Sequence, residues 1–533
     1  MKNSVLYIWI TMLCLVGSGC GDFLEEYSQD QVYAASWKDL DEVLIGNGYM
    51  KTEVPTDQKE WYYPYLFLMD DDAEELLTAA SSSGVSSSTP VGYWRSAATW
   101  QQNPFVLSFA SQYSEFDDKS VRKLYAHIAY VNTIINYLDE FPNDPVDEKM
   151  RIRGEGQFLR AAYYLMVSNL YGWAYDAKNK GTDLSVPLKT YEWVVEDHFA
   201  RATVGEVYRL IVEDLNGAVR DLEGVVQKNF YLANQLAART LLSRVYLYME
   251  DYDNVIAQCD SALATGCPLA DLNDYNVAPE LTLKERDYFY DESNPEIVFT
   301  MGYAFVQSYF VPENMTTNGG GQYSASPSLI NEFLLDDSSV KDLRLNCFFK
   351  PHATAAGRYG VCKNYEAYYL TKAPRVFETF LIRTAEVYLN KAEAQAMKGN
   401  LAGAVATLQP FLENRYATGM LPAIASLEEE ELVKFIRSQR RRELCFEGHR
   451  WPDLKRYAVH SKYPENKAIE HTIYTPRNNS GGDNAGKYVL GEYGKDAGWI
   501  LPFPTTEMTY NEGLIENPER PERQLVSQTQ NQE

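Results

Sequence analysis

Aromatic side chains cluster in two regions of the chain that show no helical periodicity. The first region is a Ser-rich stretch at 79–104, and the second follows residue 300 and includes the run Gly319-Gly320-Gly321. Aromatic rings stack on the C–H faces of sugars, while charged side chains bond their hydroxyls. Stacking needs an exposed ring, and exposed functional residues concentrate in loops. The candidate ligand-binding residues are therefore Trp94, Trp100, Tyr93, Arg95, Asp71, Tyr303, Tyr309 and Tyr323.

Each candidate has a structural alternative. Any of the rings could be a packed anchor of its loop rather than a binding surface. For Arg95 and Asp71 the favoured interpretation is a surface salt bridge. The run Asp70-Asp71-Asp72 lacks the alternation and the glycine of a calcium loop, so it is predicted to be a solvated acidic turn and not a metal site.

No pattern in the sequence points to catalysis. HExxH, G-x-S-x-G, a P-loop and a strand-coupled GxGxxG are all absent, and the six His are scattered. The 74 acidic residues single out no glycosidase carboxylate pair. We predict no catalytic residue, no cofactor and no metal. Charged residues at helical spacing are predicted to form ion pairs that hold the fold: Arg160, Glu393, Arg440, Glu443, Glu447, Arg450 and Asp453.

Charge and cysteine content narrow the possible partners. The 533-residue chain has a net charge of −25 and 45% hydrophobic residues. A negative field of this size repels phosphate backbones, so nucleic acid is excluded as the main ligand. The seven cysteines form no C-x-x-C pair. Buried free thiols are favoured over disulfides between Cys259 and Cys267 or between Cys347 and Cys362.

The N-terminus has the order of a bacterial lipoprotein signal. Lys2 precedes an apolar run from Val5 to Val16, which is too short to span a bilayer, and small residues lead to Cys20. We predict a signal peptide at 1–19 and a lipidated Cys20; the alternative is a plain secretory signal. Acidic residues directly after Cys20 resemble a surface-export signal. No later segment is a transmembrane candidate.

Helical periodicity begins near Ser120 and returns in several later segments. Residues 236–264 and 384–412 resemble each other, and each is predicted to form a tetratricopeptide-like hairpin. Thr203 with Glu206, and Ser426 with Glu429, are predicted capping boxes. Residues 268–375 and those after Tyr457 are predicted to be irregular.

Seven segments, in the same order, resemble motifs of the SusD/RagB family. They are RGEGQFLRAAYYLMVSNLYG (153–172), TVGEVYRLIVEDLNGAVRDL (203–222), the hairpin LAARTLLSRVYLYMEDYDNVIAQCDSAL (236–263), NPEIVFT (294–300), LIRTAEVYLNKAEAQA (381–396), RRRELCFEGHRWPDLKRY (440–457) and WILPFPTTEMTYNEGLIENP (499–518). Each motif alone is weak, but their number and order make the resemblance specific.

The resemblance implies a mostly α fold of SusD type, with tetratricopeptide-like hairpins and a loop-rich ligand-binding face. Residues 20–533 would form one unit, with hairpins mainly at 120–265 and 378–457 and ligand-face loops mainly at 60–115 and 268–375.

The implied function is glycan capture at the cell surface, with an oligosaccharide ligand. The chain would be lipid-anchored in the outer membrane through Cys20 and paired with a TonB-dependent SusC-like transporter. The alternatives are a peptide-binding RagB-like lipoprotein, a non-binding scaffold of the transporter complex, and a glycosidase.

Overall fold

Helices dominate the computed structural model, which describes residues 34–55, 57–76, 90–109, 112–116, 118–192, 198–311, 322–335, 337–353, 355–364, 376–477 and 481–527. The helices are α1 (Trp37–Val43), α2 (Pro90–Ala98), α3 (Ser120–Tyr137), α4 (Val146–Tyr171), α5 (Val204–Asp221), α6 (Gln235–Tyr248), α7 (Tyr252–Ala264), α8 (Val306–Tyr309), α9 (Pro327–Asn331), α10 (Arg344–Phe348), α11 (Thr384–Met397), α12 (Leu401–Glu413), α13 (Glu429–Leu444), α14 (Arg450–Ala458) and α15 (Thr505–Tyr510). The predicted mostly α class is confirmed.

The long helices pack side by side in chain order. Helix α3 packs on α4, α4 on α5, α5 on α6 and α6 on α7. On α3 the apolar residues Leu124, Ile128, Val131 and Ile134 recur every three or four positions and are buried, which explains the packing face. The capping box of Thr203 and Glu206 at the start of α5 is present as predicted.

The two predicted hairpins, α6/α7 and α11/α12, have matching turns. In the first turn Glu250 has a positive φ of 59°, and in the second Gly399 has a φ of 74°. The next residue in each turn is a helix N-cap: Asp251 accepts from the Asn254 N–H, and Asn400 accepts from the Gly403 N–H. Although about 120 residues separate them in sequence, the hairpins pack directly through α7 and α11.

Short strands complete the fold. They are β1 (Ala73–Glu75), β2 (Val106–Phe109), β3 (Gln112–Glu115), β4 (Ile297–Met301), β5 (Tyr323–Ala325), β6 (Phe349–Pro351), β7 (Tyr359–Val361), β8 (Phe380–Arg383), β9 (Ile469–Arg477) and β10 (Gly481–Leu490). One sheet has the order β1-β5-β7-β6, and the pairs β2/β3, β4/β8 and β9/β10 are antiparallel.

Three local predictions are wrong. The stretch 79–104, expected to be a loop, contains helix α2, which begins at Pro90, a residue tolerated in the first helical turn. The chain after Tyr457, expected to be loop-like, forms the β9/β10 hairpin. The last capping box is formed by Glu428 and Glu431 rather than by Ser426 and Glu429, because α13 begins at Glu429.

The ion pairs predicted to hold the fold are confirmed, and they are buried. Glu443 on α13 accepts from Arg415 at 2.8 Å and from Arg383 at 2.9 Å. Arg383 also bonds Glu296 and Glu447. The other predicted residues pair as Arg160 with Asp214, Arg440 with Asp453, Arg450 with Asp71, and Glu393 with Arg456.

The cysteines within the described residues are buried free thiols, as predicted. Burial raises the pKa of Cys259 to about 12 and that of Cys267 to about 11, so both stay protonated near neutral pH. Neither of the two possible disulfides is formed.

Acid should weaken the fold through Glu393, which receives a bidentate contact from Arg456 at 2.7 and 2.9 Å. Burial disfavours the charge of Glu393, but the charge and hydrogen bonds of Arg456 outweigh it and lower its pKa from 4.5 to about 2. The contribution to stability is therefore complete above pH 4.5 and lost as the pH falls toward 2. Glu393→Gln should cost about 3–5 kcal/mol at neutral pH and flatten this acid dependence.

Urea unfolding at several pH values between 7 and 3 measures both effects. Asp253→Asn is the matched control, because it breaks the exposed Lys398–Asp253 pair on the neighbouring hairpins and should cost at most about 1 kcal/mol. Equal losses for the two variants would show that the Glu393–Arg456 pair does not stabilise the fold.

Candidate functional site

The two aromatic regions predicted from sequence meet in the folded chain. We call the group Trp61, Tyr93, Trp94, Phe305 and Tyr309 the aromatic cluster. The Trp61 ring lies 6.1 Å from Tyr309 at an interplanar angle of 17°, and 5.4 Å from Phe305. The Tyr93 ring lies 5.7 Å from Trp94. Burial raises the pKa of Tyr309 well above its usual value, and the Trp94 side chain is close enough to counter part of that rise.

Two short helices hold these rings. Helix α2 carries Tyr93 and Trp94, and α8 directly follows Phe305. The turn into α8 is fixed by Glu378, whose carboxylate accepts the N–H groups of Phe305 and Val306, each at 2.6 Å. Burial raises the pKa of Glu378 to about 7. A buried carboxylate thus sets the backbone that presents one half of the cluster.

The expectation that the five predicted loop rings are exposed is wrong. Their exposed fractions are 0% for Trp94, 1% for Trp100, 2% for Tyr303, 0% for Tyr309 and 3% for Tyr323. Rings this deeply buried are packed anchors and offer no face to a ligand in this structure. Only Tyr93 among the predicted rings is half-buried rather than buried.

Contacts between distant segments account for this burial. The Trp100 ring lies 4.4 Å from His471, and its indole N–H donates to the Met69 carbonyl. Tyr303 stacks on Tyr62 at 4.9 Å. Tyr323 lies in β5, which pairs with β1. Each ring therefore fills space between loops that the sequence shows as separate.

Arg95 and Asp71 form salt bridges, the interpretation that the sequence favoured, but neither bridge is a surface pair. Arg95 makes a bidentate contact to Glu75, with its Nε at 2.8 Å. Asp71 accepts from Arg450 at 2.6 and 2.9 Å and lies 2.8 Å from Lys467. The pKa of Asp71 is well below its usual value because the charges of Arg450 and Arg441 outweigh the effect of its burial.

The acidic run 70–72 is not the solvated turn that was predicted. Asp70 and Asp72 are 6% and 1% exposed, and Arg441 bonds Asp72 at 2.8 Å. The run ties this loop to α13 and α14 through arginines. Within the described residues, no group of three or more His, Cys, Asp or Glu is arranged to hold a metal ion.

Trp61 and Tyr93 are the half-buried rings of the aromatic cluster, so they can meet a ligand. Burial and then the negative charge of Asp57 raise the pKa of Tyr93. Asp57 and Lys59, which shortly precede Trp61 in the chain, form a partly exposed pair 4.0 Å apart. Half-buried rings can stack on a sugar, and the charged side chains near them can form hydrogen bonds with its hydroxyls.

Trp61 was not among the residues predicted from sequence. It opens the run Trp61-Tyr62-Tyr63-Pro64-Tyr65, whose high aromatic content is visible in the sequence. Most of this run is buried, however, so aromatic content alone does not identify the ring that faces solvent.

Comparisons with known proteins agree with this fold. Residues 371–519 match the model of the "SusD family", and residues 57–247 match a model described as "Starch-binding associating with outer membrane". The curated "SusD-like protein P38" of Formosa agariphila is 24% identical over 408 residues, which cover 69% of this chain and 75% of that protein.

Solved structures show the same architecture. A SusD superfamily protein from Bacteroides thetaiotaomicron covers 91% of this chain and all of its own, with a TM-score of 0.63 at 20% identity. A putative sugar binding protein from Bacteroides vulgatus covers 92% of this chain and all of its own, with a TM-score of 0.64 at 21% identity. These matches show a SusD-type fold. The two family models together match more than half of the chain and show that it belongs to the SusD family.

The predicted anchor lies outside the described residues, because these begin at residue 34 and Cys20 precedes them. Within the described part of the chain, no helix has both the length and the apolar character needed to cross a bilayer.

Matched substitutions should separate binding rings from packing rings. Trp61→Ala and Tyr93→Ala should each weaken glycan binding by about 1–3 kcal/mol, by analogy with base stacking on aromatic side chains, which is roughly 5- to 150-fold. Their buried counterparts Trp100→Ala and Trp94→Ala should instead destabilise the fold by about 3–5 kcal/mol.

Calorimetry with a glycan selected on an array, paired with a thermal melt of each variant, measures both effects. Unchanged affinity in folded Trp61→Ala and Tyr93→Ala would show that the aromatic cluster is not the binding surface.

Proposed function

We propose that this protein is a cell-surface lipoprotein that captures a glycan and delivers it to a TonB-dependent SusC-like transporter. Residues 20–533 act as a single unit, anchored through Cys20 in the outer membrane. The observation that carries the proposal is membership of the SusD family, one of whose matching models is described as starch-binding and associated with the outer membrane.

The aromatic cluster supports the glycan part of this proposal. Trp61 lies nearly parallel to Tyr309 beneath it, so the indole is held in place before a ligand arrives. A ring fixed in this way loses little conformational freedom on binding, which favours affinity. The relatives described as sugar binding or carbohydrate binding share this fold.

Two features support the proposed pairing with a transporter. The side-by-side helices α3 to α7 and α11 to α13 form an extended packed array, and arrays of helical hairpins offer broad surfaces to protein partners. This array is separate in sequence from the aromatic cluster, so one chain can engage a glycan and a transporter with different elements.

A glycan array on the protein lacking residues 1–20 tests the central proposal. We expect the wild type to bind a defined set of oligosaccharides and the Trp61→Ala/Tyr93→Ala variant to bind them much more weakly. A peptide array and a pull-down of the transporter belong to the same experiment. Peptide binding without glycan binding would favour the RagB-like alternative, and transporter binding with no ligand would favour a scaffold.

Cys20→Ala should release the protein from the outer membrane and leave it folded, because the anchor lies in acyl chains on that thiol. Stable anchoring needs more than one acyl chain. Membrane fractionation should be done in cells that lack the transporter, since a partner would retain the protein indirectly. A variant that still sediments with membranes in those cells would contradict the lipoprotein assignment.

The protein should not hydrolyse any glycan that it binds. Among the described residues of the loop face, Asp71, Arg95 and Glu75 are all engaged in ion pairs, so none of these three is free to act as a catalytic acid or base. Overnight incubation with a bound oligosaccharide, followed by chromatography, is the measurement. New shorter products would establish an enzyme instead.

A further inference from the structure

A second pocket lies away from the aromatic cluster, next to the end of the α11/α12 hairpin. Its volume is about 510 Å³, and residues 274–293 line it. The segment is tied to the hairpin because Leu272 donates its N–H to the carbonyl of Asn414, the C-cap of α12. The pocket shares no residue with the aromatic cluster, so a ligand there would be bound independently.

The pocket contains a buried cation with incomplete bonding. Arg286 is 4% exposed, and its Nη2 donates to the carbonyls of Asn346 and Cys347 at the end of α10. Its Nε is buried and has no hydrogen-bond partner. Among the described residues, no carboxylate lies within salt-bridge distance of this guanidinium. This atom lies below the surface of the pocket, so Arg286 contributes its positive charge to the pocket rather than a direct hydrogen bond from Nε.

Opposite charges surround this space without pairing. Lys284 and Arg286 supply positive charge, and Asp274, Asp287 and Asp291 supply negative charge. Within the described part of the chain, none of the five forms an ion pair, although pairs are frequent elsewhere in this protein. Asp287 and Asp291 accept the backbone N–H groups of Asn276 and Ser293 in their own loop. Within the described residues, Lys284 and Asp274 therefore keep their charged groups available to a molecule in the pocket.

The walls and charges together define the ligand chemistry. Tyr275 and Tyr288 are half-buried and offer rings that can stack on an apolar face. An anion would meet three carboxylates and a cation would meet Arg286 and Lys284, so either is disfavoured. A sugar hydroxyl both donates and accepts, so a neutral saccharide satisfies both kinds of group at once.

We propose that this pocket is a second saccharide-binding site, selective for neutral sugars. The proposal rests on the proposed function, because it adds a second point of contact for the same class of ligand. A polysaccharide long enough to reach both sites would gain avidity from the second contact.

Saturation-transfer NMR with a panel of neutral methyl glycosides, and with methyl glucuronide as the anionic counterpart, tests the pocket. The background is the Trp61→Ala/Tyr93→Ala variant, which removes the first site. Arg286→Met would also remove the hydrogen bonds to α10 and could unfold this region. The deciding variant is therefore Lys284→Ala/Asp274→Ala. Both side chains are exposed, and within the described residues neither forms a hydrogen bond or an ion pair. Lys398→Ala/Asp253→Ala, an exposed lysine and aspartate on the hairpins, is the matched control.

We expect at least one neutral methyl glycoside to bind in this background, and Lys284→Ala/Asp274→Ala to weaken it about tenfold or more, as for the loss of hydrogen bonds to charged groups. The control should leave it unchanged. The proposal would be overturned if no neutral glycoside bound, or if Lys284→Ala/Asp274→Ala left the binding unchanged. A preference for methyl glucuronide over the neutral glycosides would also overturn it. The glycan array with the wild-type protein tests the proposed function separately, so the proposed function and the second site can fail independently.

Discussion

The buried charge network around Glu443 joins segments that are distant in sequence. Arg383 lies where β8 meets α11, Arg415 follows α12, and both bond Glu443 on α13 and Glu296 just before β4. Charges buried in this way are costly unless every partner is in place. The network can therefore form only when the β4/β8 pair, the α11/α12 hairpin and α13 have assembled together.

The candidate ligand-binding face depends on the same elements. Strand β4 leads into the turn that carries Phe305 and Tyr309, and Glu378, which fixes that turn, directly precedes β8. On the other side, Arg441 and Arg450 from α13 and α14 hold the acidic loop at 70–72. Loops with little regular secondary structure are thus positioned by charged residues on rigid helices, which is a common way to fix a binding surface.

The two candidate sites use different chemistry. The aromatic cluster offers rings that are preorganised by packing and have a few charged neighbours at their edge. The pocket at 274–293 is lined mainly by charged side chains of both signs, with tyrosines as walls. A ring surface gains from apolar contact and tolerates many sugars, whereas a charged pocket selects hydroxyl geometry. A chain with both can combine affinity with selectivity.

Much of the fold follows from the sequence because helix formation and capping are local. Periodic apolar residues predicted α3 and α4, Thr203 and Glu206 predicted the start of α5, and the similarity of 236–264 to 384–412 predicted both hairpins. The order of seven motifs predicted the family. The role of residues such as Glu443 as fold-holding ions was also predictable, because charged residues at helical spacing are typical of such pairs.

Only the tertiary structure decided which partners meet and which rings face solvent. Trp100 is buried because His471, far along the chain, covers it, and Tyr303 is buried because Tyr62 stacks on it. The partners of Glu443, Arg450 and Asp71 likewise come from other segments. The exposure of a loop residue depends on what the rest of the chain places over it. Local sequence therefore identified Tyr93 as one candidate ring among several, but neither its partial exposure nor the ring of Trp61. Local sequence determined the long helices and the family, and long-range packing determined which residues form the candidate site.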